Sequence, residues 1–125
     1  MSPGVALGVT VAGGLGSLAR YAIATALPTR GARWPWATLT VNVLGALAIG
    51  LVVALAAARP DDRARTLIAT GFLGGFTTFS TLALESVQLV ERRAWGTAAA
   101  YVGVTFVVGL AACAAGLWLG TAARR

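Results

Sequence analysis

Four long apolar runs, joined by short polar connections, take up nearly the whole of this chain. They cover residues 4–27, 36–58, 66–90 and 95–120, each near the ~20 residues that a helix needs to cross a bilayer. The pattern predicts an all-α membrane protein with four transmembrane helices in a single transmembrane domain, residues 1–125. The third run is unlike the others. Its middle reads Gly71-Phe72-Leu73-Gly74-Gly75-Phe76-Thr77-Thr78-Phe79-Ser80-Thr81. Glycines and hydroxyls at this density are poor material for a plain lipid-facing helix. Non-helical backbone at membrane depth survives only where protein buries it or a wet cavity hydrates it. A broken helix offers carbonyls at one half-end and amides at the other, and both are ready-made ion ligands. The run predicts a broken third helix and an ion site near the midplane.

Composition agrees with a membrane protein: 58% of residues are hydrophobic and 11% charged, against about 25% charged in a soluble domain. The N-terminus lacks the basic segment and small-residue cleavage pattern of a signal peptide. There is no histidine and Cys113 is the single cysteine, so an intramolecular disulfide and the commonest metal ligand are both absent. The net charge of +6 comes from arginine alone. All of these arginines but Arg20 cluster in the loops and at the C-terminus, where lipid headgroups are their natural partners, and nucleic acid is not an expected one.

With four spans, both termini lie on one side. Arg59, Arg63, Arg65, Arg124 and Arg125 share that side, and Arg30, Arg33, Arg92 and Arg93 face the other, five against four. Basic asymmetry between loops sets orientation, and here there is almost none. Two readings stay open: insertion both ways round, or one orientation fixed by features outside the count. Insertion both ways allows two copies to pair antiparallel about an axis in the membrane plane.

The remaining polar groups are few. Gly13, Gly14, Gly16 and Ser17 suit close helix packing. Arg20 follows them inside the first span. It can pair with a backbone carbonyl, attract anions or snorkel to the interface. Asn42 lies about two turns into the second span. It is either an interhelical clasp or a neutral donor lining a pore. Glu85, the one carboxylate inside a span, follows Thr81 by four residues and shares its helix face. It also suits a plain interfacial position near the helix end. Tyr101, Thr105, Gly109 and Cys113 recur at steps of four and form one stripe on the fourth helix. Trp34, Trp36, Trp95 and Trp118 sit near span ends as interfacial anchors. No catalytic constellation, metal-binding Cys/His spacing or phosphate loop occurs, so an enzyme is not expected.

The segment Gly13-Gly14-Leu15-Gly16-Ser17-Leu18-Ala19-Arg20-Tyr21, the pattern Asn42-Val43-Leu44-Gly45 and the 71–81 run resemble, in order and spacing, the helix signatures of the Fluc fluoride channels. The resemblance implies small four-helix subunits assembled as antiparallel, dual-topology homodimers in the cell membrane, exporting fluoride passively. It implies a structural Na+ at the dimer centre, held by the carbonyls of Gly74 and Thr77 and not transported. Asn42 would be the pore donor and Phe79 would turn its ring edge to the anion. Ser80, Thr81 and Glu85 would line the path near one mouth, with Tyr101 and Thr105 in a polar track and Arg20 in an electrostatic role. Three positions depart from the pattern: Leu82 replaces a second phenylalanine, and Gly109 and Cys113 replace hydroxyl residues. Two other readings are a small dual-topology proton-coupled exporter of organic cations and a non-transporting membrane subunit. The first needs a carboxylate well inside the bundle, and the second leaves the hydroxyl cluster unexplained.

Overall fold

A computed structural model describes residues 2–27, 34–57 and 62–125. Ala58, at the expected end of the second span, and the loop residues Arg30, Arg33 and Arg59 lie outside the described residues. Among the described residues, four helical runs are long and apolar enough to cross a membrane: Pro3–Ala26, Trp36–Ala56, Asp62–Glu91 and Trp95–Ala122. The protein is all-helical among the described residues.

Helix α1 (Pro3–Ala26) opens on Pro3, behind Ser2, whose Oγ accepts from the Val5 amide at 3.3 Å. That is an ordinary N-cap. Helix α2 (Trp36–Ala56) follows. The third run is composite. It begins with a charged turn, α3 (Asp62–Arg65), continues as π-helix over Thr66–Leu73, and tightens into the short α4 (Gly74–Phe76). After two extended residues it resumes as α5 (Phe79–Glu91). It starts four residues before the expected position 66. Asp62 favours the helix N-terminus electrostatically, and the Thr66 hydroxyl donates to Asp62 O at 2.7 Å. A count of apolar residues cannot see a turn held that way.

Helix α6 (Trp95–Ala122) closes the chain. A tight turn leads into it from α5. The Arg93 amide donates to Val90 O at 2.9 Å and the Ala94 amide to Leu89 O at 2.9 Å. Arg93 sits at φ 60°, where this motif usually has glycine.

The helices pack as two pairs, α2 on α6 and α1 on the π segment with α4. Backbones touch where side chains are absent. A Cβ on Gly116 would run into Leu47 O, and one on Gly75 would run into Gly13 O. Close backbone approach is how helices associate where lipid removes the hydrophobic drive between them. Val41, Leu73 and Phe76 form the buried core, with Ala19, Ile23 and Ile49 against it. Large apolar side chains cover the outside, among them Leu7, Leu110 and Trp118. In a bilayer that surface meets lipid or another subunit.

Candidate functional site

The site is organised by two residues. Thr77 (φ −81°, ψ 159°) and Thr78 (φ −151°, ψ 114°) are extended, between the end of α4 and the start of α5. Their backbone polar groups need partners that a helix no longer supplies. The amide and hydroxyl of Thr77 both donate to Leu73 O at 3.0 Å. Thr78 is held from outside its own helix. Its amide donates to Asn42 Oδ1 at 2.8 Å, and Asn42 Nδ2 donates back to Thr78 O at 3.0 Å. Asn42 thus pairs with Thr78 as a neighbouring strand would, through one acceptor and one donor. Its second amide hydrogen has no part in the clasp.

The Thr78 hydroxyl caps α5, accepting from the Thr81 amide at 3.2 Å. It also donates to Thr81 Oγ1 at 3.0 Å and lies 3.2 Å from Ser80 Oγ. Three hydroxyls therefore gather at the N-terminus of α5, where the helix dipole is positive.

This pattern strips particular carbonyls of their helical donors. In a continuous helix the Thr78 amide would reach Gly74 O; here it goes to Asn42. The Thr81 amide would reach Thr77 O; here it goes to Thr78 Oγ1. Gly74 and Thr77 both line one cleft of ≈ 240 Å³, whose wall also includes Asn42. Carbonyls released from helical donors, on residues that line one cleft, are of a chemistry that suits a hard monovalent cation. Gly75 O, by contrast, is occupied: Arg20 Nε donates to it at 3.2 Å and Ser17 Oγ at 3.4 Å. Of the three roles open to Arg20, the structure places it on a carbonyl, near the negative end of α4.

A second cleft of ≈ 320 Å³ lies across the clasp, lined by Asn42, Thr78, Phe79, Leu82 and Thr105 among others. Phe79 stands out from the protomer, 73% exposed, and Ser80 is also exposed. A third cleft of ≈ 230 Å³ has Arg20, Tyr21, Thr38, Thr78 and Thr81 on its walls.

Glu85 is the centre of a separate cluster. Thr38 Oγ1 donates to its Oε1 at 3.0 Å, and the Tyr101 hydroxyl donates to its Oε2 at 2.7 Å. Tyr101 is fully buried. Thr105 Oγ1 donates to Tyr101 O at 2.7 Å, so its proton is committed within α6. Glu85 is therefore tied to both α2 and α6 and is not a loose interfacial acid.

The candidates thus fall into two groups. Asn42, Thr77, Ser80 and Thr81 meet around the extended pair, with Gly74 and Arg20 at its α4 side. Glu85, Tyr101 and Thr105 form the other group. Sequence reasoning gave no role to Thr38 or Thr78, and gave Ser17 only a packing one. The signal for Thr38 is its place four residues before Asn42 on one helix face. For Thr78 it is a threonine three residues ahead of Thr81 at the start of a helix.

Taken together, four spans and a polar cluster within the third define a small multi-pass membrane protein with neutral hydrogen-bonding groups at depth. Residues 7–117 match the model of the CrcB-like protein family, described as Camphor Resistance (CrcB). The chain belongs to that family. It is 45% identical over 116 residues, 90% of this chain and 92% of the relative, to a protein of Rhodospirillum centenum named fluoride-specific ion channel FluC. It is 44% identical over 113 residues, 89% of this chain and 87% of the relative, to one of the same name from Bordetella bronchiseptica. A Mycobacterium bovis protein named fluoride-specific ion channel FluC 1 is 42% identical over 106 residues, 83% of this chain and 80% of the relative. These names are those of ion channels.

Proposed function

We propose that this chain is the subunit of a fluoride-selective channel that lets fluoride leave the cell passively. The observation that carries the reading is the set of neutral donors around two extended residues at membrane depth, in a chain whose relatives are named for fluoride conduction. Fluoride is small and strongly hydrated. A pore must replace its water yet release it, which calls for weak or multiple sites. The free amide hydrogen of Asn42 and the hydroxyls of Ser80 and Thr81 supply donors without fixed charge. Phe79 can offer the positive edge of its ring. Glu85, with Tyr101 and Thr105, belongs to the same track nearer one mouth. Arg20 adds positive potential while its Nε stays on Gly75 O.

Two subunits, related by a two-fold axis in the membrane plane, complete the channel. The exposed position of Phe79 supports this, since its ring leaves the protomer that carries it. The Gly74 and Thr77 carbonyls, freed of helical donors, fit a Na+ at the centre of that dimer. When bound, the ion would supply fixed positive charge that raises the local potential for an anion. It is structural and not transported.

Direction follows from physics. An inside-negative potential is worth about 2.3 kcal/mol per charge per 100 mV. It favours the exit of an anion through an open passive path, and sets the net direction together with the fluoride gradient. A proton-coupled exporter of organic cations is less suited, because both oxygens of Glu85 are engaged by hydroxyls. The test is ion efflux from proteoliposomes of purified protein. Rapid, electrogenic fluoride efflux with chloride nearly excluded is expected; equal efflux of the two ions, or none, overturns the reading.

A further inference from the structure

Three of the four tryptophans behave as anchors: Trp36 is 53%, Trp95 64% and Trp118 70% exposed. Trp34 does not. Its ring meets Tyr101 nearly edge to face, centroids 5.8 Å apart at 82°, and lies 6.1 Å from the Trp36 ring. Its Nε1–H is buried and has no hydrogen-bond partner among the described residues. Indole nitrogen is a donor only, so whatever satisfies it must be an acceptor. Leaving such a donor unmet is unfavourable, and an orphan of this kind calls for an explanation.

The surroundings narrow the choice. Trp34 precedes Thr38 by four residues, and Thr38 donates to Glu85 Oε1. Tyr101, against which the indole packs, donates to Glu85 Oε2. Both Glu85 oxygens thus already accept from hydroxyls, and the indole, packed against one of those donors, makes no bond to the carboxylate. A small, hard anion in transit is the acceptor that such a place suits. We propose that Trp34 Nε1–H donates to the permeating anion at the end of the path beside the α2 N-terminus, outside the Glu85 cluster. This rests on the fluoride reading above. The indole is neutral and the Glu85 carboxylate stands close by, so the contact is weak, as conduction requires.

The test uses the full-length protein in detergent micelles with ¹⁵N-labelled indoles, titrated with sodium fluoride and, separately, sodium chloride. Trp34→Phe identifies the Trp34 indole signal. If that variant does not fold, Trp36→Phe, Trp95→Phe and Trp118→Phe assign it by elimination. The Trp34 signal is expected to move with fluoride and stay still with chloride. Trp34→Phe keeps an aromatic ring against Tyr101 but removes the donor, and it should slow fluoride efflux about tenfold, as loss of one strong hydrogen bond does. A signal that ignores fluoride, as an N–H resting on the Tyr101 ring would, overturns the inference; so does an equal response to chloride. If wild-type protein conducts fluoride while the signal stays still, the channel reading stands and this contact alone falls. If wild-type protein conducts none, both fall.

Discussion

Asn42 is the residue on which the site turns. Its carboxamide makes two hydrogen bonds to the backbone of Thr78, one in each direction. The clasp and the pore donor, opposed as alternatives for this residue, are compatible, because a carboxamide has two N–H groups and the clasp takes one. Asn42→Asp changes both. The new carboxylate oxygen faces Thr78 O where an N–H stood, so a buried acceptor is left unmet and two oxygens repel. A destabilisation of about 1–3 kcal/mol is expected, read as a lowered unfolding midpoint in detergent. Fluoride flux should vanish even in the folded fraction, since a fixed anion then lies beside the path. Wild-type efflux from the folded variant would remove Asn42 from the pore.

At the scale of helices, stability depends on where backbones touch. A Cβ at Gly116 would strike Leu47 O on α2, which cannot swing away as a side chain can, whereas Gly103 has nothing within 4 Å of that position. Gly116→Ala should therefore pry α6 from α2 and cost about 1–3 kcal/mol. Gly103→Ala should be neutral or stabilise by up to about 1 kcal/mol through helix propensity. Thermal unfolding of the two variants side by side checks the contrast. The same elements mark what a sequence can reveal. Apolar run length was enough to show four helices of spanning length, because the bilayer sets that length from outside, but not the charged turn Asp62–Arg65 that opens the third. Glycine density draws the eye to residues 71–75, yet those glycines are helical, and within the third run the extended backbone is Thr77 and Thr78. The π geometry of Thr66–Leu73 was not expected, since eight apolar and small residues are too few for the change of period from i→i+4 to i→i+5 to show. The Glu85 cluster was legible only in part: Glu85 and Tyr101 were candidates, but their bonds to each other and to Thr38 were not foreseen. Thr38, Glu85 and Tyr101 come from three helices, and only tertiary packing brings their oxygens to 2.7–3.0 Å.

At the scale of the whole molecule, one protomer has its clefts open to the outside, and the proposed channel takes a second copy to enclose a path. An antiparallel partner requires that the chain enter the membrane both ways, and the arginine distribution, five against four, permits it. That balance can be tipped. Ala57→Lys with Ala123→Lys adds two basic residues to the side that has five, each at the exposed C-terminal end of a helix, where a cation is tolerated. Glu91→Lys with Gly96→Lys loads the opposite side at exposed positions. Each double variant should insert in a single orientation. If the working unit is antiparallel, either variant expressed alone gives membranes that release fluoride no faster than empty ones. Expressed together, they supply both orientations and should restore efflux. Cysteine-accessibility labelling of the termini verifies the orientations independently of transport. Full efflux from one variant in a single proven orientation would exclude the antiparallel dimer. Loss in both variants with no rescue on co-expression would point instead to damage by the substitutions, which the unfolding midpoints of the purified variants would register directly.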